Sequence, residues 1–183
     1  MTKTERIKKF IFKPKDMQLK SIKHHKELSE ETYCFSAYLY ILDMKICKVS
    51  NRGRGGSNDI DFGYNEILND DDFVNWQFIQ SLERWCLKNL PKWYFEYEDK
   101  YVPKSLETWI TEQVDDFVNW KDFEKSWKNR VLFVKPAEIG LYEFKAKPTK
   151  ENLQQLVKEN PTYTFLNKMT KQSAFMLYME NTA

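Results

Sequence analysis

The sequence predicts an α+β fold, and three observations carry that prediction. Residues 33–42 alternate along the chain as a strand does. Residues 70–90 and 105–128 carry apolar side chains at helical spacing. Residues 130–135 and 141–147 read as a hairpin, and hairpin-linked strands beside long amphipathic helices make an antiparallel sheet with helices packed on it. With 183 residues, 42% hydrophobic and 16% aromatic, the chain is expected to form a single α+β domain over 1–183 with a full core. Disordered chains lack this aromatic content.

Residues 1–15 are basic and lack the apolar run of a signal peptide, so they are read as a flexible N-terminal stretch. Met17 to Leu28 alternates loosely and is expected to be a first strand. A polar break, Ser29 to Thr32, follows. From Tyr33 to Leu42 the alternation is clean. Phe35, Ala37, Leu39 and Ile41 fall on one face, and Cys34, Ser36, Tyr38 and Tyr40 on the other. Asp43-Met44 reads as a turn into a partner strand over Lys45–Val49.

Asp70 to Leu90 reads as a helix. Aspartates at its start suit the free N–H groups and the positive end of the dipole. Its stripe is Val74, Phe78, Leu82, Trp85 and Cys86, and Pro91 ends it. Lys92 to Tyr101 reads as an exposed strand or extended loop rich in aromatics. A second helix runs from Ser105 to about Lys128 with Leu106, Trp109, Ile110, Val114, Phe117 and Val118 as its stripe, and a break is expected near Trp120. Arg130–Lys135 and Leu141–Lys147 read as a hairpin. Helices are expected over 149–160, burying Leu153, Leu156 and Val157, and over 170–179. One antiparallel sheet built from 17–49 and 131–147 is expected to pack against the two long helices.

The letters Asp-Asp-Phe-Val-Asn-Trp occur at 71–76 and again at 115–120. Two copies do not make a solenoid, and the expectation is two helical segments with similar needs.

Charge is unevenly distributed. Residues 1–28 hold nine basic and three acidic side chains, residues 59–124 six and sixteen, and residues 125–183 ten and five. The acidic middle argues against a broad basic face, so nucleic acid ranks last among partners. No apolar run approaches the ~20 residues of a membrane span. The three cysteines, Cys34, Cys47 and Cys86, form no CxxC pair and read as small buried hydrophobes of a reducing compartment. The expected location is cytoplasmic, with no membrane contact and no cofactor.

The sharpest local feature is Asn51-Arg52-Gly53-Arg54-Gly55-Gly56-Ser57-Asn58, which holds three of the five glycines. Glycines let successive N–H groups turn inward and cradle an anion. Arg52 and Arg54 supply forked donors for phosphate or carboxylate. Asn51 and Asn58 can bond a base, a sugar or the loop itself, and Asp59 follows directly. The candidate ligand-binding set is therefore Asn51, Arg52, Gly53, Arg54, Gly55, Gly56, Asn58 and Asp59. No Gly-Lys-Ser/Thr follows, so this is not a Walker loop. A long hairpin connection is the plain alternative.

Other constellations carry less. Asp59 or Asp61 with Glu98 and Lys100 has the Asp…Glu-x-Lys spacing of metal-dependent nucleases, but such spacings are common in a chain with 27 acidic residues, and Glu96, Glu98, Asp99 and Lys100 read first as solvated surface. His24-His25 lacks identifiable co-ligands. Tyr38, Tyr40, Trp93, Tyr94, Tyr97 and Tyr101 are expected mostly to pack in the core, and any that are exposed would suit protein interfaces or base stacking.

Val49 to Asn58 resembles a V-S-N-x-G-x-G-G-x-N segment found in a group of small phage and mobile-element proteins. The resemblance spans residues 29–66 and extends to 131–144. It implies context rather than chemistry: a small phage protein that binds a host component. No complete catalytic set is visible, so the expected function is a non-enzymatic protein that modulates or inhibits a host macromolecule, with a host protein as partner. The alternatives are a binding protein or enzyme for a phosphate-bearing small molecule, using loop 51–58, and a nucleic-acid binder.

Overall fold

The computed structural model describes residues 1–64, 67 and 72–182, with the side chains of 64, 72–74 and 96 left aside. The fold is α+β, as the sequence predicts. The chain forms two compact units, Met1–Asp115 and Asp116–Ala183.

In the first unit, residues Lys3–Lys8 form α1, started by a capping box between Thr2 and Glu5. Ile7 on this helix is fully buried. The basic stretch thus contributes to the core through one apolar residue per turn, a signal too short to read as a period.

Four strands follow: β1 (Met17–His24), β2 (Cys34–Ile41), β3 (Met44–Arg52) and β4 (Asp59–Asp61). They pair in chain order as an antiparallel meander. The alternation of β2 is realised as read: Phe35, Ala37, Leu39 and Ile41 are buried, and their neighbours are half-exposed. Two details differ from expectation. β1 ends at His24, and Lys26–Leu28 closes a 3-10 turn. The β2–β3 turn residues are Leu42 and Asp43, both at positive φ, while Met44 already pairs with Ile41. This left-handed pair is the turn that matches strand twist in a two-residue hairpin, and it turns the Asp43 side chain toward Lys20, which lies 2.9 Å away. That ammonium and Lys3 hold the Asp43 carboxyl below its ordinary pKa.

α2 (Asp72–Asn89) buries Phe78, Leu82, Trp85 and Cys86. Its expected aspartate cap at Asp70 and Asp71, and the Val74 side chain, lie outside the described residues. Phe10 stacks on Phe78 at 5.3 Å, and Phe12 meets Trp85 at 4.3 Å between ring centres. Residues 92–101 are a hairpin rather than one strand, with β5 (Trp93–Phe95) paired to β6 (Lys100–Val102). α3 (Leu106–Asn129) begins at a Ser105 cap, whose hydroxyl accepts from the Thr108 N–H at 2.9 Å. Leu106, Trp109, Ile110, Val114 and Val118 are buried as expected, while Phe117 is only half-buried. The expected break near Trp120 is absent. Trp120 is helical and packs against Phe123, so the interruption in the stripe is a change of neighbours and not of backbone.

In the second unit, β7 (Val131–Val134) pairs with β8 (Tyr142–Phe144) on one side and β9 (Thr164–Phe165) on the other. α4 (Lys150–Glu159) starts at a Thr149 cap and lays Leu153, Leu156 and Val157 against Val131, Phe133 and Phe165. α5 (Lys171–Thr182) contributes Ala174, Phe175, Leu177 and Tyr178 to a second cluster around Phe123, Leu132 and Leu166. Asn167 ties these pieces together. Its Oδ1 accepts from Leu132 N–H, and its Nδ2 donates to the Trp127 and Arg130 carbonyls.

The single sheet expected from 17–49 and 131–147 is therefore two separate sheets, one in each unit. Both are antiparallel with the same period of two, so nothing local distinguishes one sheet from two. The repeated letters also diverge in use. Trp76 is largely exposed on α2, whereas Trp120 meets Phe175 edge-on at 4.8 Å. Asn75 is buried and Asn119 half-buried. Asp71 of the first copy is outside the described residues.

No helix among the described residues is long and apolar enough to cross a membrane. The cysteines are free. Burial pushes the Cys47 and Cys86 thiols up to about 12, helped by Asp61 and Glu83 respectively. Since the thiolate is the nucleophile, iodoacetamide at neutral pH should leave Cys47 and Cys86 unmodified in the folded protein and label both after denaturation. Mass spectrometry of the labelled peptides checks this, and native labelling of Cys47 would contradict it.

Candidate functional site

The candidate residues from the sequence fall on the end of β3, the connection to β4, and the start of β4. The connection is built by Asn51. This side chain is 7% exposed. Its Oδ1 accepts from the Gly53 N–H and from the Thr32 hydroxyl, both at 2.9 Å. Its Nδ2 donates to the Gly56 carbonyl and to Asn58 Oδ1, both at 3.2 Å. All four bonds are internal, so Asn51 shapes the loop and has no capacity left for a ligand.

Gly53 is the second element of that scaffold. Its φ is +82°, and a Cβ would overlap the Leu28 carbonyl oxygen and the Cys34 Cβ. Its own carbonyl accepts from the N–H groups of Glu30, Glu31 and Thr32. Segment 28–34 is thereby sewn onto the loop. Gly55, at φ +77°, lies under the Glu31 carboxylate, and Gly56, at φ +88°, faces open space. Asn58 N–H donates to Glu107 Oε1 at 2.9 Å, which fixes the far end of the loop to the first turn of α3.

Arg52, Arg54 and Asp59 are exposed. Arg52 Nε stands 3.9 Å from Asp59 Oδ2, a pair too solvated to hold much energy. Arg54 has no ion-pair partner among the described residues. Beside the loop, between residues 29–33 and α3 at Thr111 and Asp115, lies a cleft of about 370 Å³. Glu30, Glu31 and Asp115 line it, so this cleft is acidic and disfavours an anion. The arginines lie exposed instead, Arg52 at the end of β3 and Arg54 in the connection.

The other sequence candidates disperse. Asp61 Oδ1 accepts from the Gly63 N–H. Glu98 contacts Lys100, and Asp99 accepts from the Tyr94 hydroxyl, which raises the Tyr94 pKa. The Glu96 side chain is outside the described residues. No group of three His, Cys, Asp or Glu among the described residues is placed to hold a metal ion. His24 lies 3.2 Å from the Ser29 hydroxyl and edge-on to Tyr33.

The β5–β6 hairpin is the feature that sequence reading only half saw. Its two strands pair with each other and with no further strand among the described residues. Trp93 and Phe95 lie on one face, half-buried, with ring centres 5.3 Å apart. Tyr94 and Tyr101, directly opposite one another in the register, occupy the other face. Their rings are 5.3 Å apart, and they are 45% and 67% exposed. Tyr97, in the turn, is 92% exposed. Three exposed tyrosines thus lie within eight residues, Tyr94 and Tyr101 together on one face and Tyr97 beside Phe95, ring centres 6.3 Å apart. The aromatic density of 93–101 was the available signal. The strands are three residues each, too short for alternation to mark where the chain reverses.

Comparison with protein-family models, with curated proteins and with solved structures gave no match for this chain.

Proposed function

We propose that the chain is a non-enzymatic binding protein that engages a macromolecular partner through the tyrosine hairpin Trp93–Val102, with Arg52 and Arg54 adding charge from loop 51–58. The observation that carries this reading is the exposed trio Tyr94, Tyr97 and Tyr101. Tyrosine gives large contact area with few rotors to freeze and a hydroxyl for orientation, which is why it recurs at interface hot spots. Three such side chains in water return little to the fold beyond the Tyr94–Tyr101 cross-strand contact and the Tyr94–Asp99 hydrogen bond. Both elements connect to the same end of α3: the loop through Glu107, and the hairpin through residues 103–105. The resemblance of the 49–58 segment to small phage and mobile-element proteins makes a host protein the partner class, with modulation or inhibition as the effect.

A phosphate-bearing ligand is the second reading, favoured by the exposed Arg52 and Arg54 and opposed by the Glu31 carboxylate over Gly55. Stabilisation by a nucleotide or pyrophosphate that vanishes in Arg52→Ala/Arg54→Ala would put it first.

The test of the first reading is retention of host proteins on immobilised chain, wild type against Tyr94→Ala/Tyr97→Ala/Tyr101→Ala. These side chains contribute little to the core, so the variant should melt as wild type does. A specific host protein should be retained by wild type and lost from the variant by more than tenfold, as hot-spot truncations give. Equal retention by both proteins refutes the assignment to the hairpin.

A further inference from the structure

A second surface lies in the unit Asp116–Ala183, along the flank of α4 that faces Lys168. Lys150, Leu153, Gln154, Val157 and Lys158 form one stripe of that helix, and Lys168 closes the far side of a groove of about 380 Å³. The floor is aliphatic, from Leu153 and Val157, whose inner sides pack on the β8–β7–β9 sheet. The rim is cationic. Lys150, Lys158 and Lys168 are exposed, and none has a carboxylate partner among the described residues. The helix carries two acids: Glu151, in its first turn beside Lys150, and Glu159, which is engaged by Gln155 Nε2 at 2.9 Å; neither lines the groove. Across residues 145–171 there are six lysines against two glutamates.

The placement of the lysines is informative. Lys158 sits in the last turn, where the dipole favours a cation, but Lys150 is the first residue of α4, where the dipole opposes one. Lys150 therefore does not serve the helix. It and Lys158 are eight residues apart, roughly 12 Å along the axis, so the charges stand at both ends of the apolar floor. A single anionic headgroup would be met by lysines gathered at one end. Charges spread around an aliphatic strip match several carboxylates spaced along an apolar ridge. The floor carries no aromatic ring on which a base would stack.

We infer that this groove docks an acidic amphipathic helix of a protein partner, its aliphatic side chains resting on Leu153 and Val157 and its carboxylates meeting Lys150, Lys158 and Lys168. This is helix-in-groove recognition with charge complementarity setting orientation. It is independent of the tyrosine hairpin.

The probe is a fluorescein-labelled helical peptide of leucine and glutamate with the leucines in one stripe, read by anisotropy against the full chain. A peptide of the same composition in scrambled order, a single-stranded oligonucleotide and oleate serve as comparisons. The striped peptide should bind saturably and more tightly than the scrambled one. Lys150→Ser/Lys158→Ser/Lys168→Ser, exposed positions whose loss leaves the circular dichroism unchanged, should weaken it by about tenfold, the sum of three modest exposed pairs. The inference is overturned by absence of saturable binding, by equal binding of the scrambled peptide, by unchanged affinity in the triple variant, or by tighter binding of the oligonucleotide or oleate.

Discussion

Phe123→Ala should be the most damaging single substitution in the unit Asp116–Ala183, costing about 3–5 kcal/mol. Phe123 is fully buried. Its ring lies 5.3 Å from those of Trp127, Phe175 and Tyr178, and 5.6 Å from that of Trp120. Four large rings fixed by a helix on either side cannot all move inward to fill the space a phenyl leaves. The cavity cost therefore adds to the lost transfer energy. For a chain of this length each kcal/mol is roughly 2–4 °C of melting temperature, so a drop on the order of 10 °C is expected. Tryptophan fluorescence reads the transition directly, because Trp120 and Trp127 border the site. The denaturant midpoint should fall with an unchanged slope. A loss below about 1 kcal/mol would mean that the aromatic cluster repacks freely.

Gly53→Ala is the second large effect, about 2–4 kcal/mol, combining a left-handed backbone with overpacking. The methyl group would strike the Leu28 carbonyl and Cys34. The backbone shift that relieves this would loosen the three N–H groups bonded to the Gly53 carbonyl. Gly56→Ala is the matched control. Its φ is +88° and no atom lies within 4 Å of the added carbon, so only the conformational cost of about 1 kcal/mol remains. The difference between the two variants isolates packing from backbone preference. Equal losses would show that segment 28–34 yields to the methyl group.

These two sites also mark how far the sequence could be read. β2 and the buried stripe of α3 were legible because eight or more residues repeat one period against one core. Their inward faces match the expected residues, save Phe117 at the edge of its stripe. α1, β5, β6 and β9 were not, since two to six residues cannot display a period. The division of the described strands among three sheets depends on pairings to which local alternation is blind. At the candidate site, the conspicuous glycines and arginines drew attention to segment 51–58. The decisive partners were remote: Leu28, Glu31 and Cys34 around the glycines, and Glu107 beyond Asn58. Asn51 was readable as a ligand donor or as a brace for its own loop, and only the position of Thr32, Gly56 and Asn58 distinguishes the two.

The meander β1–β2–β3–β4 pairs each strand only with its neighbours in the chain. Closing each hairpin therefore costs little loop entropy, and the sheet has low contact order despite being all antiparallel strand. Such a sheet can assemble progressively as the polypeptide emerges during synthesis, each new strand finding its template already in place. β7 is different: it must wait for β9, some thirty residues downstream, to complete its second edge. The open edge of β7 is consequently the place where a nascent chain is most exposed to pairing with the wrong strand.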